Sequence, residues 1–411
     1  YSRASVRLLE RSGDEVVAVV SVTKGPIVKA KGMSFVGLDR SKPELLTRWL
    51  RFESGSNVTG GLLQELSGRA GTIPFAEFRG PIVVKPLAGY DESVLQLNFV
   101  EKKQFLIDGG AGYDPDQANG LVWSLNLKLQ NLFGSGRDIS VLSARRQIGN
   151  NLLDIAYSQP LFLVGVGDIH GRISTRNFQN QFYEFSAVAG LTSAIRPNQS
   201  FGLNLGWKRV DPEIGLAYRG YEATLNFSLG RPDQRVTGDR GFRFASSIGY
   251  LYRSYNPDSL GSGSTYNDTR AEFEASYGQP LWRGWSAWGR VNYQGIESKE
   301  NPLPNAELYF IGGPGTLRGF RTDQFVVQRA ALGTIEPRLS FPSGYLFAFG
   351  DAAYLNLGKA IGAGEKEMFK VGYGFGATIS DQNRSVSISF GWNKELSLDQ
   401  PQLAIKVTSV L

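Results

Sequence analysis

Segments of strict two-residue alternation, about ten residues or longer, fill the chain from about residue 104 to its end. They predict a mainly β fold: a sixteen-stranded antiparallel transmembrane β-barrel behind a small N-terminal α+β domain. Two further observations carry that reading. The polar face of the alternating segments is mostly Ser, Asn, Gly and Gln, which suits a wet lumen better than the Lys- and Glu-rich surface of a soluble sandwich. The segments also exceed the usual five or six residues of a soluble strand and reach the ~10 needed to cross a bilayer at a tilt of about 45°.

Composition excludes several classes. The 411 residues include 50 Gly, 1 His and no Cys, with a formal charge of +6. Without Cys there is no disulfide scaffold and no thiolate metal site, which fits passage through an oxidising compartment, and the single His170 cannot build a usual zinc centre. No run of about eighteen apolar residues occurs, and a mean hydropathy of −0.20 is what a barrel with a polar lumen gives. Lys and Arg are spread without a block, so no nucleic acid is expected as partner. Neither a Gly-x-Ser-x-Gly elbow nor a phosphate loop is present, GGPGTLRG lacking the Lys-Ser/Thr that would follow. The expectation is a non-enzymatic protein without metal or cofactor. The N-terminus has no apolar signal-peptide core, as expected of a mature form or a fragment.

Before residue 104, helix and strand signals alternate. Glu15–Thr23 is a β-branched run ending at Gly25-Pro26, and Lys29–Val36 is a strand ending at Gly37. Ser41, with Glu44 three residues on, reads as a capping box opening a helix through Leu45, Leu46, Trp49 and Leu50. Val58–Arg69 reads as a second helix with Leu62, Leu63 and Leu66 on one face and Gly71 as its stop. Phe78–Lys85 and Ser93–Glu101 read as strands, the second alternating Leu95, Leu97 and Phe99 with polar positions. The order β-α-α-β-β from Lys29 suffices for one sheet with two helices on a face.

The barrel strands are expected at 104–113, 119–130, 137–148, 151–163, 165–177, 180–193, 199–210, 214–230, 241–254, 266–281, 285–296, 325–340, 344–355, 368–380, 384–394 and 401–411. Between the eleventh and twelfth lies a long connection, 297–324, containing ELYFIGGPGTLRGFRTD (Glu307 to Asp323). Gly312, Gly313, Pro314 and Gly315 cannot continue a strand or helix. A loop of nearly thirty residues among short connections is functional or disordered. Arg318 has two readings at this point, a solvated cation or an interior anchor.

A β-α-α-β-β domain, about sixteen barrel strands, and Leu317-Arg318-Gly319-Phe320 after Gly312-Gly313 together resemble the BamA/TamA superfamily of outer-membrane insertases and the related two-partner secretion transporters. The family's aliphatic-Arg-Gly-aromatic tetrapeptide lies in its sixth extracellular loop. Its Phe-x-Asp-x-Gly motif is matched by Phe349 and Asp351, with Ala353 in place of the Gly. The resemblance implies that the loop folds into the lumen, that Arg318 pairs with Asp351, and that Phe320 packs on lumen aromatics such as Phe349. Such a pair is a pure fold lock or a moving part. The resemblance also implies a periplasmic POTRA domain at 27–103, the C-terminal half of a preceding one at 1–26, and the barrel at 104–411. The family usually ends in an aromatic residue, whereas this chain ends Ser409-Val410-Leu411.

Function follows from the seam. Closure pairs a first strand carrying Phe105, Ile107, Gly109, Gly110 and Gly112 with a last strand carrying Leu403, Ile405 and Val407. A Gly-rich strand pairs weakly and tolerates register slips, offering an edge on which a client strand can template. The other reading is that the glycines relieve crowding at a bend. The family resemblance implies an outer-membrane assembly factor that takes unfolded β-barrel clients through its POTRA domains and inserts them at this seam. Periplasmic chaperones, assembly lipoproteins and outer-membrane lipid are its implied partners. The alternative is a two-partner transporter that exports a polypeptide through the lumen. A passive porin, the third class, has no POTRA domain.

Overall fold

The computed structural model describes residues 3–12, 15–23, 27–88, 91–113, 121–147, 149–163, 167–196, 198–230, 240–256, 263–359, 365–380, 384–396 and 400–410. Of the expected elements, the turn at 24–26 and strand residues 119–120, 148, 165–166 and 411 lie outside these. The chain divides into two compact units, residues 1–102 making up nearly all of the first and residues 103–132 and 136–411 the second.

In the first unit, Arg3–Ser12 and Glu15–Thr23 form an antiparallel pair. A mixed sheet follows, in which Lys29–Val36 runs parallel to Glu92–Glu101. Helix α1 (Pro43–Leu50) buries Leu46 and Leu50, and helix α2 (Gly60–Ala70) buries Leu66 and Ala70. These side chains join Ala30, Leu95, Leu97 and Phe99 from the sheet in one core. The expected alternation of the last strand is therefore its division into a core face and an outer face.

Three local expectations are corrected. Ser41 is not a cap: α1 opens with Pro43, and Lys42 is the N-cap in extended conformation without a side-chain bond. Proline is favoured in the first turn and forces the residue before it out of the helical region, which places the boundary one residue later. The Ser41 N–H instead donates to Glu101 Oε1 at 2.7 Å. Burial alone would raise the Glu101 carboxyl, but hydrogen bonds from the Ser41 hydroxyl and the Ser41 and Arg40 amides outweigh it and lower its pKa. The second helix starts at Gly60, because Thr59 accepts the Leu62 N–H at 3.1 Å and caps it there. The expected strand 78–85 is two short ones, Ala76–Phe78 and Val83–Pro86, both paired with Glu92–Glu101 and interrupted around Pro81, which has no N–H to give the ladder.

The second unit is a closed antiparallel barrel of sixteen strands. They are β1 (Phe105–Tyr113), β2 (Leu121–Leu132), β3 (Arg137–Gln147), β4 (Asn150–Leu163), β5 (Gly167–Phe178), β6 (Phe182–Arg196), β7 (Gln199–Pro212), β8 (Tyr218–Gly230), β9 (Gly241–Tyr255), β10 (Thr265–Pro280), β11 (Trp285–Ser298), β12 (Arg329–Phe341), β13 (Gly344–Lys359), β14 (Glu365–Ser380), β15 (Arg384–Asn393) and β16 (Gln402–Val410). Apolar members of the alternation, such as Leu205, Ile248, Ile335 and Phe375, are exposed on the outside. The polar members face in and line a lumen cavity of about 570 Å³ beside Ser140, Asn204, Asn226 and Glu272. Strand β8 begins four residues later than expected, the loop before it turning at Gly215 with φ 113°. Phe325–Val327 is not the start of β12; it pairs with Tyr309–Ile311 in a small hairpin inside the long loop. The apolar run reads as strand in either place, and only the partner differs.

Candidate functional site

The loop between β11 and β12 builds its own turn before it reaches the wall. Gly312 (φ 132°) and Gly313 (φ 84°) adopt backbone that a side chain would strain. A Cβ at Gly312 would lie 2.1 Å from the Arg321 carbonyl oxygen, so two passes of the loop are in backbone contact there. Thr316 closes the turn, its hydroxyl accepting the Gly312 N–H at 2.8 Å. Pro314 and Gly315 form the exposed tip. Leu317 and Phe320 are buried with Ile311, Val327, Leu332, Ala353 and Leu355.

That turn aims Arg318 at β13. Its Nε donates to Asp351 Oδ2 at 2.8 Å, a terminal nitrogen to Oδ1 at 2.9 Å, and its own backbone N–H to Oδ2 at 3.0 Å. The other terminal nitrogen donates to Glu336 on β12 at 2.9 Å, and Glu336 also accepts Arg338 Nε at 2.8 Å. The ring of Phe349 lies 3.7 Å beneath the guanidinium. Two arginines and two acids alternate here, so the buried charges balance, as a low-dielectric site demands. The solvated reading of Arg318 is thus excluded. Phe320, expected on Phe349, packs against Phe325 instead, at 5.4 Å between centroids. The guanidinium already covers the Phe349 face.

Gly319 brings the loop backbone onto β14 and β15. With φ 86°, its Cβ would sit 2.2 Å from the Trp392 carbonyl oxygen, and its own carbonyl accepts Asn393 Nδ2 at 2.6 Å. The wall is glycine on its side too: a Cβ on Gly372 would fall 1.8 Å from the Arg318 carbonyl oxygen, and one on Gly391 would fall 2.7 Å from the Gly319 nitrogen. Sequence reasoning missed Glu336, Gly372, Gly391 and Asn393. The available signal was the alternation of glycine with aromatics over 372–376, which leaves that stretch of one face of β14 without side chains.

At the seam, Leu106–Tyr113 pair with Leu403–Val410. Ile107, Gly109, Gly110 and Gly112 therefore lie in that ladder opposite the segment carrying Leu403, Ile405 and Val407. Phe105 pairs with Leu129 on β2, and its place in the seam falls opposite Leu411, outside the described residues. Both seam strands are 9 residues long, against 15 and 16 for β9 and β10. The glycines are crowded: a Cβ on Gly110 would lie 2.8 Å from the Ile405 carbonyl oxygen, and one on Gly109 would lie 3.0 Å from that of Ser124. Among the described residues no group of acidic and His side chains could hold a metal.

No protein-family model matches the chain. The outer membrane protein assembly factor BamA of Neisseria meningitidis serogroup B is 21% identical over 378 residues, covering 85% of this chain and 46% of that protein. BamA of Buchnera aphidicola is 27% identical over 138 residues, 33% of this chain and 22% of the relative. The BamA structure from Haemophilus ducreyi lacking POTRA domains 1–3 superposes over 100% of this chain and 90% of that one, with a TM-score of 0.62 and 14% identity. The chain is thus similar to BamA in sequence and shares its barrel fold. CdiB from Acinetobacter baumannii shares the fold equally, with a TM-score of 0.63 and 15% identity over 99% of this chain and 78% of its own. A BamA-like sixteen-stranded barrel indicates an integral outer-membrane protein. The chain spans less than half the length of the curated relatives it matches.

Proposed function

We propose that the protein is an outer-membrane assembly factor, without enzymatic activity, that inserts unfolded β-barrel clients into the membrane at the seam between β1 and β16. The observation that carries this reading is the seam. It is a short ladder, of 9-residue strands in a barrel with strands of up to 16, and its first strand has a glycine, Gly110, where a Cβ would lie 2.8 Å from the Ile405 carbonyl oxygen. The seam ladder is as short as those of β2–β3 and β15–β16, and Gly109, Gly110 and Gly112 give it no side-chain packing, so it parts at low cost, and a parted wall exposes two unpaired edges in a setting where backbone groups must find partners. A client strand supplies those partners.

The N-terminal sheet-and-helix unit acts as a POTRA domain on the periplasmic side. Among the described residues, Gly32–Val36 have a strand partner on one side only, which leaves an edge for an incoming client segment. Periplasmic chaperones that deliver clients, assembly lipoproteins and outer-membrane lipid are the partners such a role requires. The exposed aliphatic and aromatic band on the barrel is the surface that lipid covers. The polar lumen cavity favours a second reading, export of a polypeptide through the barrel as in a two-partner transporter.

A disulfide across the seam separates the two. Ala111 and Ile405 are register partners, so cysteines there are within bonding reach. Oxidation abolishes client insertion into liposomes and reductant restores it if the seam is the exit. Undiminished insertion in the oxidised protein refutes it.

A further inference from the structure

The Arg318 attachment reaches back along the loop as far as Ile311, which is buried with Leu317 and Phe320, and the residues before it are held separately. Glu307, in the short helical turn Asn305–Glu307, has a fully buried carboxylate held by other strands of the barrel. It accepts Lys208 Nζ from β7 at 2.5 Å, the Tyr218 hydroxyl from β8 at 2.5 Å, and the Arg270 guanidinium from β10. Neighbouring groups of the loop join the same wall. Arg176 on β5 donates to the Ala306 carbonyl at 3.0 Å, and Phe310 packs on Phe178 with centroids 4.5 Å apart. None of these residues touches Asp351, Glu336, Gly372 or Asn393. The Glu307 set draws on β5, β7, β8 and β10 and the Arg318 set on β12 to β15, so the two attach to different strands of the ring.

Charge argues that the Glu307 contact is strong. One carboxylate sits between two cations, and its loss leaves Lys208 and Arg270 facing each other in a buried place. Three partners from three strands fix the carboxylate in direction as well as position, which a single surface pair cannot do.

We propose that Glu307 is a second latch, a positioning residue that ties the part of the loop before Ile311 to the β7–β10 wall independently of the Arg318 to Asp351 lock. The loop is a strap fixed at two places along its length, and it clears the lumen only when both attachments open. The tie follows from the geometry alone. Its bearing on client insertion rests on the seam reading above.

The test is hydrogen exchange by mass spectrometry on the full chain in liposomes, comparing a peptide over Asn305–Leu308 with one over Leu317–Phe320. Glu307→Gln is expected to speed exchange in the first by about tenfold or more and to leave the second within about twofold, while Asp351→Asn does the reverse. Tyr218→Phe removes one hydrogen bond and leaves the charges in place, so it gives a smaller change of the same pattern if Glu307→Gln fails to fold. Glu307→Asp keeps the charge and restores part of the protection. Equal loosening of both peptides by Glu307→Gln or Tyr218→Phe overturns independence, and no change in either overturns the latch. Folding of a urea-unfolded eight-stranded outer-membrane barrel is followed in the same liposomes. If the exchange pattern appears and the seam disulfide leaves folding unaffected, the insertion reading fails while the latch stands.

Discussion

Replacing Asp351 by Asn tests the loop lock at its centre. The carboxylate is 2% exposed and accepts three hydrogen bonds from Arg318, two from the guanidinium and one from the backbone. An amide of the same shape keeps one acceptor and turns its NH2 toward donors, and it leaves Arg318 and Arg338 sharing Glu336. Removing one partner of a buried pair costs about 3–5 kcal/mol, and the low end applies because Glu336 still holds Arg318 at 2.9 Å and the arginine is 15% exposed. About 3 kcal/mol is roughly a hundredfold rise in the released-loop population. Hydrogen exchange of a peptide covering Leu317–Phe320 reads this directly, since the Arg318 amide itself donates to Asp351. Exchange about a hundredfold faster than wild type is expected, and a change below about threefold would refute the buried-pair reasoning.

Backbone proximity makes an independent prediction. Gly372→Ala places a methyl on the Arg318 carbonyl and is expected to cost about 1–3 kcal/mol, lowering the temperature at which the folded barrel is lost on heated gels. Gly350→Ala, where a Cβ meets nothing within 4 Å, is the matched control and should not move it. In the N-terminal unit, the folded-state pKa of Glu101 is depressed, so its stabilising contribution is present above the ordinary carboxylate range and is lost as pH falls through the folded value. Glu101→Gln should therefore speed amide exchange around Ser41 at neutral pH, with the difference from wild type vanishing in acid. A difference that persists unchanged at low pH would contradict the assignment.

Barrel architecture was legible because membrane strands are long and their two faces meet different media, which writes the alternation strongly into residues such as Phe201, Leu203, Leu205 and Trp207. Short elements obeyed local rules that compete. Pro43 overrode the capping box at Ser41, and Pro81 split one expected strand into two. Phe325–Val327 has the pattern of a barrel strand, and nothing local says that its partner is Tyr309–Ile311. The Arg318 to Asp351 pairing came from resemblance, whereas Glu336 and Glu307 were invisible because their value depends on groups brought together across the lumen. Charges on strands with a polar face, such as Lys208 and Arg270, were the trace they left.

The central claim, that clients leave through the seam, is tested most directly by site-specific photocross-linking to a client arrested during folding. A photoreactive residue at Ile107 or Ile405, on either side of the β1–β16 ladder, is predicted to capture the client, while one at Ser140 or Asn226, on the cavity wall, is not. Adducts at Ser140 and Asn226 with none at the seam would contradict lateral insertion and assign the barrel to transport through its lumen.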